Sequence, residues 1–226
     1  MMRVPVLLCA VFLLLSCSAF SPAVSAPPAR KPLVDVVIDE FTHDTQVLHS
    51  EDYALTQAWW IPVEFWQAAF SKVNPALAEH AVQILKSYSM VAVVQADVTA
   101  LGGFAYYSRD EIAQRLLVQR VDMQGAPVAL PQEKSVNPAV QNLLMQLTPL
   151  LGKAIGDMGR NMHFFVLADT DDKGQRLASP YETGRVQIQL GASETQPAQQ
   201  LDIELPVNAL FVPRLSADGK QAHVAR

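Results

Sequence analysis

The chain of 226 residues contains only two cysteines, Cys9 and Cys17, both near its amino terminus. Downstream of position 17 there can be no disulfide and no cysteine–zinc site, so stability there must come from a packed core. Charge is sparse as well: 17% of residues are Asp, Glu, Lys or Arg, and the formal net charge is -5. That excludes a disordered tail, which needs dense charge and few apolar groups, and it leaves no basic surface for nucleic acid. The usual catalytic signatures are missing too. There is no Gly-rich dinucleotide or phosphate loop, no His-Glu-x-x-His, no paired cysteines and no Gly-x-Ser-x-Gly. No catalytic, cofactor-binding or metal-ligating residue can be assigned from a motif.

What is present begins with an uneven distribution of apolar residues. Residues 1–26 carry one charge, Arg3, ahead of the apolar run Val4–Leu15 and a stretch of small residues. This is the layout of an export signal. The run is too short to span a bilayer, which takes about 20 apolar residues in a helix. Two cleavage sites compete. Leu14-Leu15-Ser16-Cys17 resembles the lipobox of bacterial lipoproteins, in which the cysteine becomes the lipidated first residue; Leu15 is its least typical position. Val24-Ser25-Ala26 has small residues where a signal peptidase reads, but Pro27 follows it directly. Either route removes Cys9, and Cys17 is then lost or acylated. Residues 18–33, rich in Ser, Ala and Pro, read as a linker, or as a tether if Cys17 is lipidated.

The remainder, 34–226, reads as one α+β domain. Val34–Ile38 is a β-branched run that predicts a strand, followed by a polar, acidic segment from Asp39 to Asp52. From Tyr53 the pattern turns helical and aromatic, with Pro62 suited to a first helical turn and the helix running to about Val73. Asn74-Pro75 starts an amphipathic helix by capping. Met90–Val98 and Phe104–Tyr107 flank Gly102-Gly103 as a hairpin. Ser108-Arg109-Asp110-Glu111 has capping-box spacing, and Leu116–Met123 reads as extended. Asn137-Pro138 begins the longest amphipathic helix, with Pro149 inside it. His163–Ala168, Val186–Leu190, Leu201–Leu205 and Ala209–Val212 are strand candidates. Three or so helices in the first two thirds and strands toward the end favour a mainly antiparallel sheet over βαβ alternation.

Three features could carry chemistry. The acidic segment holds His43, Asp44 and His49, residue types that suit a metal or an acid–base pair, although a solvated loop is the plainer reading. Asp169-Thr170-Asp171-Asp172-Lys173-Gly174 begins like a calcium loop. Lys173 then occupies a ligand position and Pro180 stands where the bidentate Glu belongs, so a turn is expected. Trp59, Trp60 and Trp66 are the only tryptophans. With Phe65 and Phe70 they read as core, or as an aromatic groove for a ligand or partner.

The leading expectation is therefore an exported envelope protein with a non-catalytic binding or structural role and an unidentified protein or small-molecule partner. It would be periplasmic or held at a membrane by lipid on Cys17. Two other readings stay open: a hydrolase using His43, Asp44 and His49, with or without a metal, and a carrier with an aromatic-lined pocket.

Overall fold

A computed structural model describes residues 28–51, 53–215 and 221–222. The signal peptide read over 1–26, the lipobox with Cys17, and most of the 18–33 linker lie outside the described residues. The fold is α+β. Among the described residues five α-helices accompany two larger antiparallel sheets, one of five strands and one of four, and a two-stranded ribbon of Arg214–Leu215 with Gln221–Ala222.

Strand β3 (Tyr88–Val98) organises the first sheet. It is buried from Ser89 through Ala96. A continuous apolar, β-branched run of this kind belongs to a strand covered on both faces rather than to a half-exposed one. It pairs with β2 (Ala54–Ile61) on one side, and with β7 (His163–Ala168) and the short β4 (Phe104–Tyr106) on the other. β1 (Gln46–Glu51) pairs with β2 at the edge. The second sheet runs β6 (Pro127–Ala129), β5 (Leu116–Val121), β8 (Gly184–Leu190), β9 (Gln199–Leu205). Along β8 the core-facing residues Val186, Ile188 and Leu190 alternate with Arg185, Gln187 and Gln189. One hydrophobic cluster joins residues of both sheets and the helices.

Local sequence chemistry explains several helices. In α3 (Pro75–Leu85) the Asn74 side chain accepts from the Leu77 N–H at 3.1 Å, with Pro75 opening the first turn. α4 (Arg109–Arg115) carries a complete capping box. Ser108 Oγ accepts from the Glu111 N–H, and the Glu111 carboxylate accepts from the Ser108 N–H at 2.7 Å. α5 (Pro138–Ile155) starts where Asn137 Oδ1 accepts from the Ala139 N–H, and it continues through Pro149.

Four expectations change. Val34–Ile38 is not a strand: Leu33–Asp35 form a 3-10 turn, and α1 (Ile38–Asp44) follows. Val34 and Val37 are exposed, so the β-branched run lacks a sheet to pack against. Phe41, fully buried one turn after Ile38, fixes a helix instead. The acidic segment is thus helix plus strand rather than a loop. The helical reading from Tyr53 fails up to Ile61, because Thr56–Ile61 are buried inside the sheet and show no strand alternation; α2 begins only at Val63 and ends at Ser71. Ala209–Val212 forms no sheet strand but a 3-10 turn, Asn208–Leu210. Its main chain pairs with the amino-terminal segment instead: Lys31 N–H donates to Leu210 O and Val212 N–H to Ala29 O, each at 2.8 Å. The described end of the 18–33 segment is therefore held against the fold, with the Arg30 guanidinium 4.1 Å from the Tyr181 ring centre.

Candidate ligand-binding cleft

A cleft of about 570 Å³ opens where α1 and α2 meet the β1–β2 face and α5. Small-molecule sites typically occupy about 300–1,000 Å³ and have mostly apolar walls. Trp59, Phe65 and Trp66 border it as members of the hydrophobic core, only 2–3% exposed, as the core reading of the tryptophans expects; more of its open surface comes from half-buried Ile38, Thr42, Ala69, Phe70, Leu151 and Met158.

The sequence places these rings by two different periods. On β2 neighbouring side chains point to opposite faces, so Trp59 reaches the cleft while Trp60, fully buried, turns away from it. On α2, Trp66 and Phe70 sit one turn apart and stack, with ring centres 6.1 Å apart and planes at 20°. Phe65 is the hub. It meets Trp59 at 5.1 Å and 88°, Trp66 at 5.4 Å and 86°, and Phe41 at 5.6 Å and 72°. Edge-to-face contacts of this kind favour a rigid wall, since each ring's positive edge lies on a neighbour's negative face. Trp59 is further fixed by its indole N–H, which donates to Thr45 Oγ1 at 3.1 Å. Thr45 in turn donates to Phe41 O at 2.8 Å.

Two polar atoms in this wall have no partner: Trp66 Nε1 and Gln57 Oε1. Both residues are buried. The polar rim is Asp39, Thr42, His43 and Gln46. No Lys or Arg is among the described residues that line the cleft.

The three residues offered for hydrolysis are not assembled. His43 is an exposed α1 residue on the rim of the aromatic cleft, its Nδ1 3.9 Å from Asp44 Oδ1. Asp44 has a structural task, since its Oδ2 accepts from the Ala209 N–H at 2.8 Å. His49 lies on β1 and lines a different cleft of about 560 Å³, with Glu51 3.6 Å away. Among the described residues no three His, Cys, Asp or Glu side chains are grouped to hold a metal. The calcium-like stretch is a turn: Asp171 Oδ1 accepts from the N–H groups of Lys173 and Gln175.

Two polar clusters escape a reading by motif. In the first, Arg176 lies between the carboxylates of Glu64, on α2, and Asp169. Asp169 has no exposed surface, and burial outweighs the attraction of Arg176 to push its carboxyl up to about 6. In the second, Asp97 accepts from Thr195 Oγ1 at 2.7 Å and Gln196 Nε2 at 2.5 Å, with Tyr107 Oη at 3.2 Å. Burial pushes the Asp97 carboxyl up, but these hydrogen bonds prevail and hold it below its ordinary range. This cluster pins the β8–β9 connection to β3, and it separates the His49 cleft from a smaller one beside Arg115. Each cluster joins a distant residue, Glu64 or Asp97, to groups near one another in sequence, and no spacing rule links the two parts.

No family model and no curated protein sequence matches the chain. Among solved structures, a DUF4426 family protein from Pseudomonas aeruginosa is similar over 70% of this chain and 90% of its own. The identity is 12% and the TM-score 0.33.

Proposed function

We propose that the protein is an exported, non-catalytic binding protein that holds a small, mainly apolar ligand in the aromatic cleft. The observation that carries this reading is the cleft itself: a volume of ligand size beside a rigid, interlocked set of buried rings. Burying apolar ligand surface there is favourable at roughly 25 cal/mol per Å², and a rigid wall limits the entropy lost on binding. Among the described lining residues Thr42 donates its hydroxyl to Ile38 O rather than to His43, and binding is the role we assign to the cleft. Export rests on Arg3, the run Val4–Leu15 and the two cleavage sequences. Among the described residues no helix is long and apolar enough to cross a membrane. Any membrane anchoring is assigned here to lipid on Cys17, on the strength of the Leu14-Leu15-Ser16-Cys17 sequence.

Ala69 lies in the cleft wall on α2 and is only partly buried, so a tryptophan there fills the cleft without entering the core. The neutral dye N-phenyl-1-naphthylamine should brighten on mixing with the purified protein. Ala69→Trp should weaken that binding about tenfold or more, with the circular dichroism spectrum unchanged. Equal dye binding by both proteins would remove the cleft as the site. For the anchor, Cys17→Ala should shift the protein from the membrane fraction to the soluble one. An unaltered distribution would refute lipidation at Cys17.

A further inference from the structure

Two turns meet at one end of the first sheet and expose apolar side chains there. The turn before β2 sets Tyr53 beside Val98, whose N–H donates to Tyr53 O at 2.6 Å. Val98 in turn faces Phe104 across the β3–β4 hairpin. Residues opposite one another in an antiparallel sheet project from the same face, so Tyr53, Val98 and Phe104 form one row. Leu101 stands at the hairpin apex, and Tyr106 follows Phe104 with ring centres 5.9 Å apart. Leu101 is 99%, Tyr53 73% and Phe104 50% exposed. From Val98 to Tyr107 no residue carries a charge. Single exposed apolar residues are ordinary on a protein surface, whereas a contiguous group of them marks a contact.

We infer that this end of the sheet is a contact surface for the headgroup region of a zwitterionic lipid bilayer, separate from the lipid anchor assigned to Cys17 and from the aromatic cleft. Size argues for a membrane over a protein. At these exposures the three side chains offer on the order of 400 Å², half of one side of a standard protein interface. Two copies meeting here would bury on the order of 800 Å² in total, short of what a stable dimer needs. Chemistry argues the same way. Tyr53 and Tyr106 join an apolar ring to a hydroxyl, the kind of side chain that settles at headgroup level, while Leu101 and Phe104 supply the apolar part that reaches deeper. Charge selects the lipid. Glu51, Asp52 and Asp97, beside Tyr53 and Val98 in the chain, are acidic and would be repelled by an anionic surface. A few side chains at this depth make a reversible contact, since even one acyl chain binds only marginally. The tip therefore turns this end of the fold toward the bilayer, and Cys17→Ala still releases the protein.

Vesicles of dioleoylphosphatidylcholine test this. The chain from Pro27 to Arg226 holds every described residue and no cysteine, so Leu101→Cys accepts a single nitrobenzoxadiazole label. Met123→Cys, 63% exposed in the turn between β5 and β6, carries the same label as a control. On titration with vesicles to millimolar lipid, the label at 101 should brighten and shift to the blue, while the label at 123 stays constant. In flotation of the unlabelled chain, Leu101→Asp should weaken partitioning about tenfold or more, with an unchanged circular dichroism spectrum. Adding phosphatidylglycerol to the vesicles should weaken partitioning of the wild-type chain as well. A silent label at 101, equal responses at 101 and 123, or flotation indifferent to Leu101→Asp overturns the inference. Binding that appears only with phosphatidylglycerol overturns it too, because charge would then be the attraction. A dimer in sedimentation that Leu101→Asp splits would give the surface to a second copy instead. None of these outcomes bears on the dye titration, which tests the cleft by itself.

Discussion

Replacing Arg176 with alanine is expected to destabilise the fold by about 3–5 kcal/mol, the scale for removing one member of a buried ion pair. Arg176 Nε donates to Asp169 Oδ2 at 3.1 Å, and its two terminal nitrogens reach both oxygens of Glu64, one of them at 2.9 Å. Glu64 and Asp169 are 8% and 0% exposed, so the variant leaves two carboxylates facing each other out of water. In a domain of this size each kcal/mol moves Tm by about 2–4 °C, so a fall on the order of 6–20 °C should be seen at pH 8.

The pH dependence identifies the mechanism. Asp169 titrates near 3.8 when exposed and at about 6 in the fold, so the fold prefers its neutral form. Its contribution to stability is complete below about pH 4 and is lost as pH rises through about 6, a swing on the order of 3 kcal/mol. Without Arg176 the carboxyl is no longer held down by a nearby cation, and it should titrate higher still. The gap between variant and wild type should therefore narrow between pH 8 and pH 5. Urea unfolding at both values measures it. A variant as stable as wild type at pH 8, or a gap that widens on acidification, would show that the three charges are not coupled as the geometry implies.

That cluster also shows where sequence reasoning stops. Asp169 starts a turn, as the sequence suggests, but its carboxylate accepts from Arg176 and the Ala178 N–H, and Arg176 in turn reaches Glu64 on a helix more than a hundred residues away. No local pattern encodes such a pairing. Elements set by local chemistry were legible: the Asn74-Pro75 and Asn137-Pro138 starts, the Ser108–Glu111 capping box, and the hairpin at Gly102-Gly103. Each depends on hydrogen bonds within a few residues, which the side chains themselves supply.

Burial on both faces erased the pattern elsewhere. Trp59 and Trp60 look like part of the aromatic helix because a doubly covered strand has no polar positions to mark its period. The Val34–Ile38 run misled for the opposite reason. Strand propensity describes a fit to a sheet surface, and here the surface that was available suited Phe41 on a helix. The cleft was half legible. Its aromatic wall is contiguous in sequence, from Trp59 to Phe70, whereas the opposite wall comes from α5 and the following turn. Whether such a ring cluster is sealed or open is decided by how far that distant helix approaches.

Gly184→Ala should be the other severe substitution, and its origin is steric. Gly184 opens β8 with φ at +128°, a conformation that L side chains rarely adopt. A Cβ there would lie 2.4 Å from Val121 O and 3.2 Å from Asp122 Cα. Both are main-chain atoms of the neighbouring strand and its turn, so no side chain can rotate aside. The strand would have to move, although Arg185 and Val186 are paired in register with Val121 and Arg120. Backbone strain of about 1–3 kcal/mol and a similar overpacking penalty together predict a loss of about 2–6 kcal/mol. Gly125 separates the two contributions. It too has positive φ, at +85°, but a Cβ there meets nothing within 4 Å. Gly125→Ala should therefore suffer only the backbone part, about 1–2 kcal/mol. Chemical denaturation of the two variants compares them directly. Losses of equal size would mean that the second sheet yields at Val121, and that the close approach of β8 to β5 is not what reserves position 184 for glycine.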